Sequence, residues 1–171
     1  MSYSSTSDGR RSLCLKDYDY SQAGIYFITL CTHQRMCLFG DIVNGEMLLN
    51  SAGEMIDKLW CELPKRFKLI FLDDYVIMPN HLHALLHINA DGGKSISQIV
   101  QYFKSFSCLK YIQGVKQFSW EDFPGKLWQR NYYEHIVRNE DSLGRIRQYI
   151  RCNPQEWSSD KENPKNTTKI C

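Results

Sequence analysis

Residues 78–87 read Met-Pro-Asn-His-Leu-His-Ala-Leu-Leu-His, and this stretch organises the rest of the chain. Side chains alternate between the two faces of an extended strand, so His81 and His83 project side by side from one face. Leu82 and Ala84 face the opposite way. Imidazole is the commonest metal ligand in proteins, and a strand sets the separation of the two rings. The pattern therefore indicates a two-histidine metal clamp, with two solvent-facing or hydrogen-bonded histidines as the alternative.

Histidine is scarce in this chain, and its distribution favours the metal clamp. Only 5 of the 171 residues are histidine, and three of them lie between positions 81 and 87. His87 has the same parity as the pair and is expected to mark the end of the strand. Pro79 and Asn80 interrupt the β-branched and aromatic run at 75–78. They therefore favour two antiparallel strands over one bent stretch.

Length and composition limit the class of protein. A chain of 171 residues with 43% hydrophobic residues predicts one folded domain. The formal net charge of +2 means that any anion binding must come from a local patch. The 7 cysteines are odd in number and form no Cys-x-x-Cys pair, which indicates free thiols in a reducing cytoplasm. The polar start and the lack of a long apolar run predict a soluble intracellular protein.

Local signals predict the other secondary-structure elements. Asn44-Gly45 is a strong hairpin signal, and Ser51 with Glu54 has the pattern of a capping box that opens a helix, which Pro64 would end. Asn139 is predicted to cap the last helix. The predicted strands are 24–31, 38–43, 46–49, 68–78, 80–88 and 126–137. The predicted helices are 52–63, 95–112 and 139–152, with a loop over 114–125.

This order of elements predicts an α+β fold in which helices cover an antiparallel sheet. The domain is expected to span 12–157, between a flexible arm over 1–11 and a flexible tail over 158–171. In the last helix, Leu143, Ile146 and Ile150 form an apolar stripe that faces the sheet. Tyr149 lies on the flank of this stripe, and Asn153, four residues on, shares its face. The alternative role for Tyr149 is ordinary packing.

Three separated motifs occur in a fixed order: Pro-Asn-His-Leu-His at 79–83, the stretch 127–140, and Tyr-Ile-Arg-Cys-Asn-Pro at 149–154. With the segment at 17–29 and Leu-Phe-Gly at 38–40, they resemble the single-tyrosine, IS200-like transposases of the HUH endonuclease superfamily. The nearest resemblance is to the branch called REP-associated tyrosine transposases. The similarity extends from about Arg11 to Trp157 and implies a ferredoxin-like, HUH-type sheet.

The resemblance also implies a function and a site. His81 and His83 would bind Mg²⁺ or Mn²⁺, with Asn153 completing the protein ligands, and Tyr149 would be the nucleophile. His135 matches a family position and would help to hold the metal ligands in place without binding the metal itself. The implied reaction is cleavage and rejoining of single-stranded or hairpin DNA through a 5′-phosphotyrosine, without ATP. A catalytically silent protein that binds hairpin DNA is the alternative, and either could be a monomer or a homodimer in a bacterial cytoplasm, acting on DNA of the nucleoid.

Basic and aromatic residues are candidates for contacts with DNA. The candidate cations are Lys104, Arg130, Arg138 and Arg145, for which a solvated surface charge is the alternative. Three aromatic residues could stack on bases or could pack within a strand: Trp128, Tyr132 and Tyr133. Tyr132 or Tyr133 would be the replacement nucleophile if Tyr149 were buried. A histidine-based nucleotidyl hydrolase is not favoured, because the sequence lacks a third alternating histidine or paired His-x-Thr motifs.

Overall fold

The computed structural model describes residues 23–89 and 93–166, so the predicted arm over 1–11 and residues 167–171 of the predicted tail lie outside it. The strands in these ranges are β1 (Gly24–Cys31), β2 (Gly40–Val43), β3 (Glu46–Leu49), β4 (Ile70–Met78), β5 (His81–Ile88) and β6 (Tyr133–Val137). The helices are α1 (Ser51–Cys61), α2 (Leu63–Arg66), α3 (Ile96–Phe118) and α4 (Glu140–Cys152). Short 3-10 helices cover His33–Arg35, Trp157–Ser159 and Pro164–Asn166. None of the described helices is both long enough and apolar enough to cross a lipid bilayer.

Four strands form one antiparallel sheet in the order β4-β5-β1-β6. The chain reverses between Met78 and His81, which are partners in the register, so the prediction of two antiparallel strands is confirmed. β2 and β3 form a separate hairpin, in which Asn44 and Gly45 have φ angles of 52° and 77°. Positive φ at both turn residues is what the Asn-Gly pair favours, and this prediction is confirmed too.

The sheet lies between two helical layers. One face packs against α1 and α3 in a large core that includes Tyr26, Trp60 and Phe103. The opposite face packs against α4 through Leu143 and Ile150. Alternation along the strands sends successive side chains to the two layers. The predicted α+β fold and the predicted apolar stripe of the last helix are confirmed.

The start of α1 differs from the predicted capping box. The N-cap is Asn50, whose side-chain oxygen accepts from the backbone N–H of Gly53 at 2.9 Å. Asn50 Nδ2 also donates to the carbonyl of Leu38 at 3.1 Å. Asparagine and serine are equally good N-caps, and this contact with a distant segment favours Asn50. Pro64 lies in the first turn of α2 rather than ending α1.

The α3 helix continues six residues past its predicted end, and the predicted loop over 114–125 is shorter. Gly114 is buried inside the helix, and a Cβ atom there would overlap the Trp120 ring. The helix ends at Phe118, after which Ser119 takes a left-handed φ of 56°. The glycine is therefore explained by the close approach of an indole ring and does not break the helix.

The C-terminal part of the described chain also differs from expectation. Of the strand predicted over 126–137, β6 covers 133–137, and Trp128 forms an isolated β-bridge with Thr32. Trp128 is buried, with its Nε1 donating to Ser107 Oγ at 2.9 Å. The Trp128 indole thus fills the core and cannot stack on a base. Residues 158–166, expected within a flexible tail, pack on the domain. Glu162 forms an ion pair with Arg35 at 2.8 Å, a long-range contact that composition does not reveal.

Candidate active site

His81 and His83 lie on the sheet face that packs against α4. Their partners on β1 are Cys31 and Thr29, and the two ring centroids are 4.5 Å apart. Both histidines are buried, with exposed fractions of 0% and 2%. Strand alternation therefore brings the two imidazoles together, as the spacing predicts, and the sheet register places them beneath α4.

Thr29 orients the ring of His83. Thr29 Oγ1 lies 2.7 Å from His83 Nδ1, and His83 Nε2 lies 3.3 Å from the hydroxyl of Tyr149. Burial lowers the pKa of His83 well below its usual value, and the neighbouring His81 lowers it further. The ring is therefore neutral at neutral pH. A neutral imidazole retains a lone pair that a cation can share.

Asn80 selects the tautomer of His81. Asn80 Nδ2 donates to the carbonyl oxygens of Arg35 at 3.0 Å and Glu162 at 2.8 Å. This orientation leaves Asn80 Oδ1 2.8 Å from His81 Nδ1. An amide oxygen only accepts hydrogen bonds, so Nδ1 carries the proton and Nε2 carries the lone pair. Burial lowers the pKa of His81, against the opposing effect of Asp160.

The α4 helix brings Tyr149 to the edge of the imidazole pair. Its ring centroid lies 5.2 Å from that of His83 and 6.2 Å from that of Phe27. Tyr149 is 40% exposed. The condition under which Tyr132 or Tyr133 would replace it as the nucleophile, burial of Tyr149, is therefore not met. Partial burial and the carboxylate of Asp160 raise the pKa of Tyr149, whereas Asn153 lowers it. The phenol is therefore protonated at neutral pH.

The atoms around His81 fit a divalent cation. Within the described ranges, His81 Nε2 and Asn153 Oδ1 are buried without a hydrogen-bond partner. Buried polar atoms normally have partners. One ligand atom from each of His81, His83 and Asp160 lies within 4.8 Å of the others. Imidazole nitrogens combined with carboxylate and amide oxygens suit a divalent ion such as Mg²⁺ or Mn²⁺.

Ion pairs hold α4 against β4 beside this site. Asp73 accepts from Arg147 Nε at 3.0 Å and lies 2.7 Å from His87 Nε2. Asp74 pairs with Arg151 at 2.7 Å. The hydrogen bond from Arg147 is the main reason that the pKa of Asp73 is lowered to about 2. His87, expected only to mark a strand end, thus contributes to the position of α4.

Lys104 and Arg130, two of the four candidate DNA-binding cations, lie on the α3 side of the sheet. Lys104 Nζ donates to the carbonyl of Gln129 at 2.9 Å and lies 5.4 Å from the centre of the Tyr132 ring. Burial lowers the pKa of Lys104 to about 8. Arg130 lines the same cavity of about 550 Å³. The structure therefore does not bring these two cations to the imidazole pair.

The other two cations lie on a different surface. Arg138 and Arg145 line a cleft of about 310 Å³ beside β6, together with His135. In the part of the chain that is described, neither a hydrogen bond nor a ring contact joins His135 to the imidazole pair. Tyr133 is the partner of Thr29 in the register and is 41% exposed. Tyr133 therefore lies on the same sheet face as the imidazole pair.

Three contributors to the site were missed in the sequence: Thr29, Asn80 and Asp160. Asn80 directly precedes the histidines, so its position was a usable signal. Thr29 lies on a predicted strand, but only the strand register shows which side chain faces His83. Asp160 follows α4 in a polar segment with no local signature. Its role depends on a contact between distant parts of the chain.

The site therefore combines two buried imidazoles on an antiparallel sheet with a tyrosine on the helix that packs against that sheet. This arrangement can be compared with known protein families. A family model described as Transposase IS200 like matches residues 22–153. The chain belongs to this family, which confirms the resemblance seen in its motifs.

The chain is also similar to individual proteins. An uncharacterised protein of Haemophilus influenzae is 37% identical over 175 residues, covering 89% of this chain and 92% of that protein. A second protein of the same organism, provisionally named a REP-associated tyrosine transposase, is 25% identical over 140 residues, covering 80% and 73%. A solved structure of a REP-associated tyrosine transposase bound to a REP hairpin has a TM-score of 0.59 and 17% identity, covering 83% and 73%. At that identity the likeness shows a shared fold.

Proposed function

We propose that this chain cleaves and rejoins single-stranded or hairpin DNA, with Tyr149 as the nucleophile. His81, His83 and Asn153 would hold Mg²⁺ or Mn²⁺. The observation that carries the proposal is the 3.3 Å approach of the Tyr149 hydroxyl to Nε2 of the buried His83. Membership of a transposase family and the hairpin bound by the structural relative support DNA as the substrate.

The proposed reaction uses the phenol oxygen of Tyr149. The phenol loses its proton, an O–P bond forms to the phosphate, and the bond from phosphorus to the 3′ oxygen breaks. The departing 3′ oxygen takes up a proton, so one proton is released and one is consumed. The products are a 5′-phosphotyrosine and a free 3′-hydroxyl, and attack by a 3′-hydroxyl reverses the step without ATP. A divalent cation, when bound, withdraws charge from a non-bridging phosphate oxygen. Because burial raises the pKa of Tyr149, we expect adduct formation to accelerate with rising pH.

The α4 side of the sheet offers a surface for the strand. Tyr133 is exposed there, and Lys161 Nζ lies 5.9 Å from the centre of its ring. Arg138 and Arg145 line the neighbouring cleft. Aromatic rings can stack on bases, and guanidinium groups bind phosphates. We assign the main DNA contacts to this surface in preference to Lys104, whose ammonium is bound to loop carbonyls.

Domain extent, assembly and location complete the proposal. The functional unit would span 12–157, with support from the described part of the following segment. Tyr149 and His83 approach each other within one chain, which supports a site built from a single protomer. A monomer would therefore suffice, and a homodimer with one such site in each protomer is also compatible with this geometry. DNA as the substrate is consistent with a bacterial cytoplasmic protein that acts on nucleoid DNA.

An adduct assay tests the nucleophile directly. The protein is incubated with REP-like hairpin DNA and Mg²⁺ or Mn²⁺, and protein–DNA adducts that resist denaturant are resolved on a gel. We expect an adduct for the wild type and for Tyr133→Phe, none for Tyr149→Phe, and at least about tenfold less for His81→Ala. Tyr133→Phe is a matched control because it removes a phenol hydroxyl from the same sheet face but keeps the ring that would stack on a base.

Two outcomes would contradict the proposal. An adduct that persists in Tyr149→Phe and disappears in Tyr133→Phe would move the nucleophile to Tyr133. Tight binding of hairpin DNA by wild-type protein, without an adduct under either cation, would instead support the catalytically silent DNA-binding protein.

A further inference from the structure

The segment that follows α4 is fastened to the end of β5 where the histidines begin. Glu162 pairs with Arg35 Nε at 2.8 Å, and its carbonyl oxygen accepts from Asn80 Nδ2 at 2.8 Å. Asn80 also holds His81. The segment and the histidine strand therefore share one hydrogen-bonded network, although they are far apart in the sequence.

This network places the carboxylate of Asp160 against His81. The Asp160 side chain is only 4% exposed, and its Oδ2 lies 3.8 Å from His81 Nε2. Its other oxygen, Oδ1, accepts from the backbone N–H of Glu162 at 2.7 Å. The Asp160 main-chain carbonyl accepts from Asn166 Nδ2 at 2.9 Å. These bonds fix the carboxylate with one oxygen directed at the imidazole.

The approach of Asp160 to His81 brings two acceptors together. Asn80 Oδ1 accepts a hydrogen bond from His81 Nδ1–H, so His81 Nε2 faces the carboxylate with a lone pair. Two atoms that both present lone pairs repel each other unless a proton or a cation lies between them. One ion with bonds of about 2.1 Å can bind two ligand atoms that lie up to about 4.2 Å apart. The observed 3.8 Å is within that reach.

We propose that Asp160 is a further ligand of the cation held by His81 and His83. The inference rests on the proposed metal site and adds a carboxylate from outside the recognised motifs. A carboxylate contributes a full negative charge, whereas the other proposed protein ligands are neutral. Asp160 is therefore expected to supply much of the affinity for a divalent ion.

Calorimetric titration with MnCl₂ measures this contribution without any DNA reaction. Asp160→Asn keeps an oxygen that can accept from the Glu162 amide but removes the charge. We expect Asp160→Asn to bind Mn²⁺ at least about tenfold more weakly than the wild type. Glu156→Gln is the matched control, because it removes a carboxylate from an exposed position on the same segment. We expect its affinity to stay within about twofold of the wild type.

The outcomes separate this inference from the proposed function. Equal Mn²⁺ affinity in wild type and Asp160→Asn would overturn the Asp160 assignment and leave the histidine site intact. Failure of the wild type to bind Mn²⁺ would overturn both. If Asp160→Asn does not fold, a crystal of the wild type grown with Mn²⁺ decides by its anomalous signal. An ion bound by His81 and His83 with an Asp160 oxygen in its coordination sphere supports the inference, and an ion without that oxygen refutes it.

Discussion

Replacing Asp73 by asparagine tests the ion pair that fixes the helix of Tyr149. Asp73 is largely buried and accepts from Arg147, and its pKa falls from 3.8 to about 2. At about 1.4 kcal/mol per pKa unit, this shift corresponds to about 2.5 kcal/mol as an upper value. Solvent reaches the Arg147 side chain and screens the pair, so we expect Asp73→Asn to lose about 1 kcal/mol at neutral pH.

The sign of the pH dependence follows from the lowered pKa of Asp73. The stabilisation is complete above the ordinary aspartate pKa of 3.8 and disappears as the pH falls through the folded pKa of about 2. Urea denaturation of the wild type and Asp73→Asn, from neutral pH down to about 2, measures the difference in unfolding free energy. Asp41→Asn, an exposed aspartate on β2, is the control. A difference that is constant over this pH range would refute the reasoning.

Two further predictions concern the site and the core. Thr29→Val removes the partner of His83 Nδ1 while keeping the side-chain shape, so we expect Mn²⁺ affinity to fall about 10- to 100-fold in a calorimetric titration, with Thr29→Ser restoring most of it. An unchanged affinity would show that Thr29 does not orient the ring. Gly114→Ala should destabilise the protein by about 1–3 kcal/mol in urea denaturation, because the new methyl group meets the Trp120 ring. Gly144→Ala on α4, where a Cβ has no neighbour within 4 Å, should stabilise by up to about 1 kcal/mol. Stabilisation by both would contradict the packing argument for Gly114.

Elements whose signals are local were predictable from the sequence. The hairpin at Asn44-Gly45 depends on two adjacent residues that adopt positive φ. The start of α4 depends on Asn139, whose side chain accepts from the N–H of Ser142 at 2.8 Å. Both signals lie within a few residues of the structure they produce.

The errors occurred where a distant contact decided between local options. Asn50 and Ser51 are both good N-caps, and the bond from Asn50 to Leu38 selects the first. Gly114 is compatible with a loop or a helix, and only the folded chain shows that it lies inside α3 with the Trp120 ring against it. Residues 158–166 have the composition of a tail, but contacts such as the Arg35–Glu162 ion pair fold them onto the domain.

The sequence by itself determined that His81 and His83 share a strand face and that Tyr149 and Asn153 share a helix face, because each pairing follows from one backbone period. It also indicated the transposase family through the order of its motifs. Only the tertiary structure decided that these two faces meet, since strand register and helix packing are set by contacts far apart in the chain. The same reason explains why the roles of Thr29 and Asp160 became visible only in the folded protein. Neither residue lies on the strand that carries His81 and His83, so strand periodicity does not relate them to the histidines.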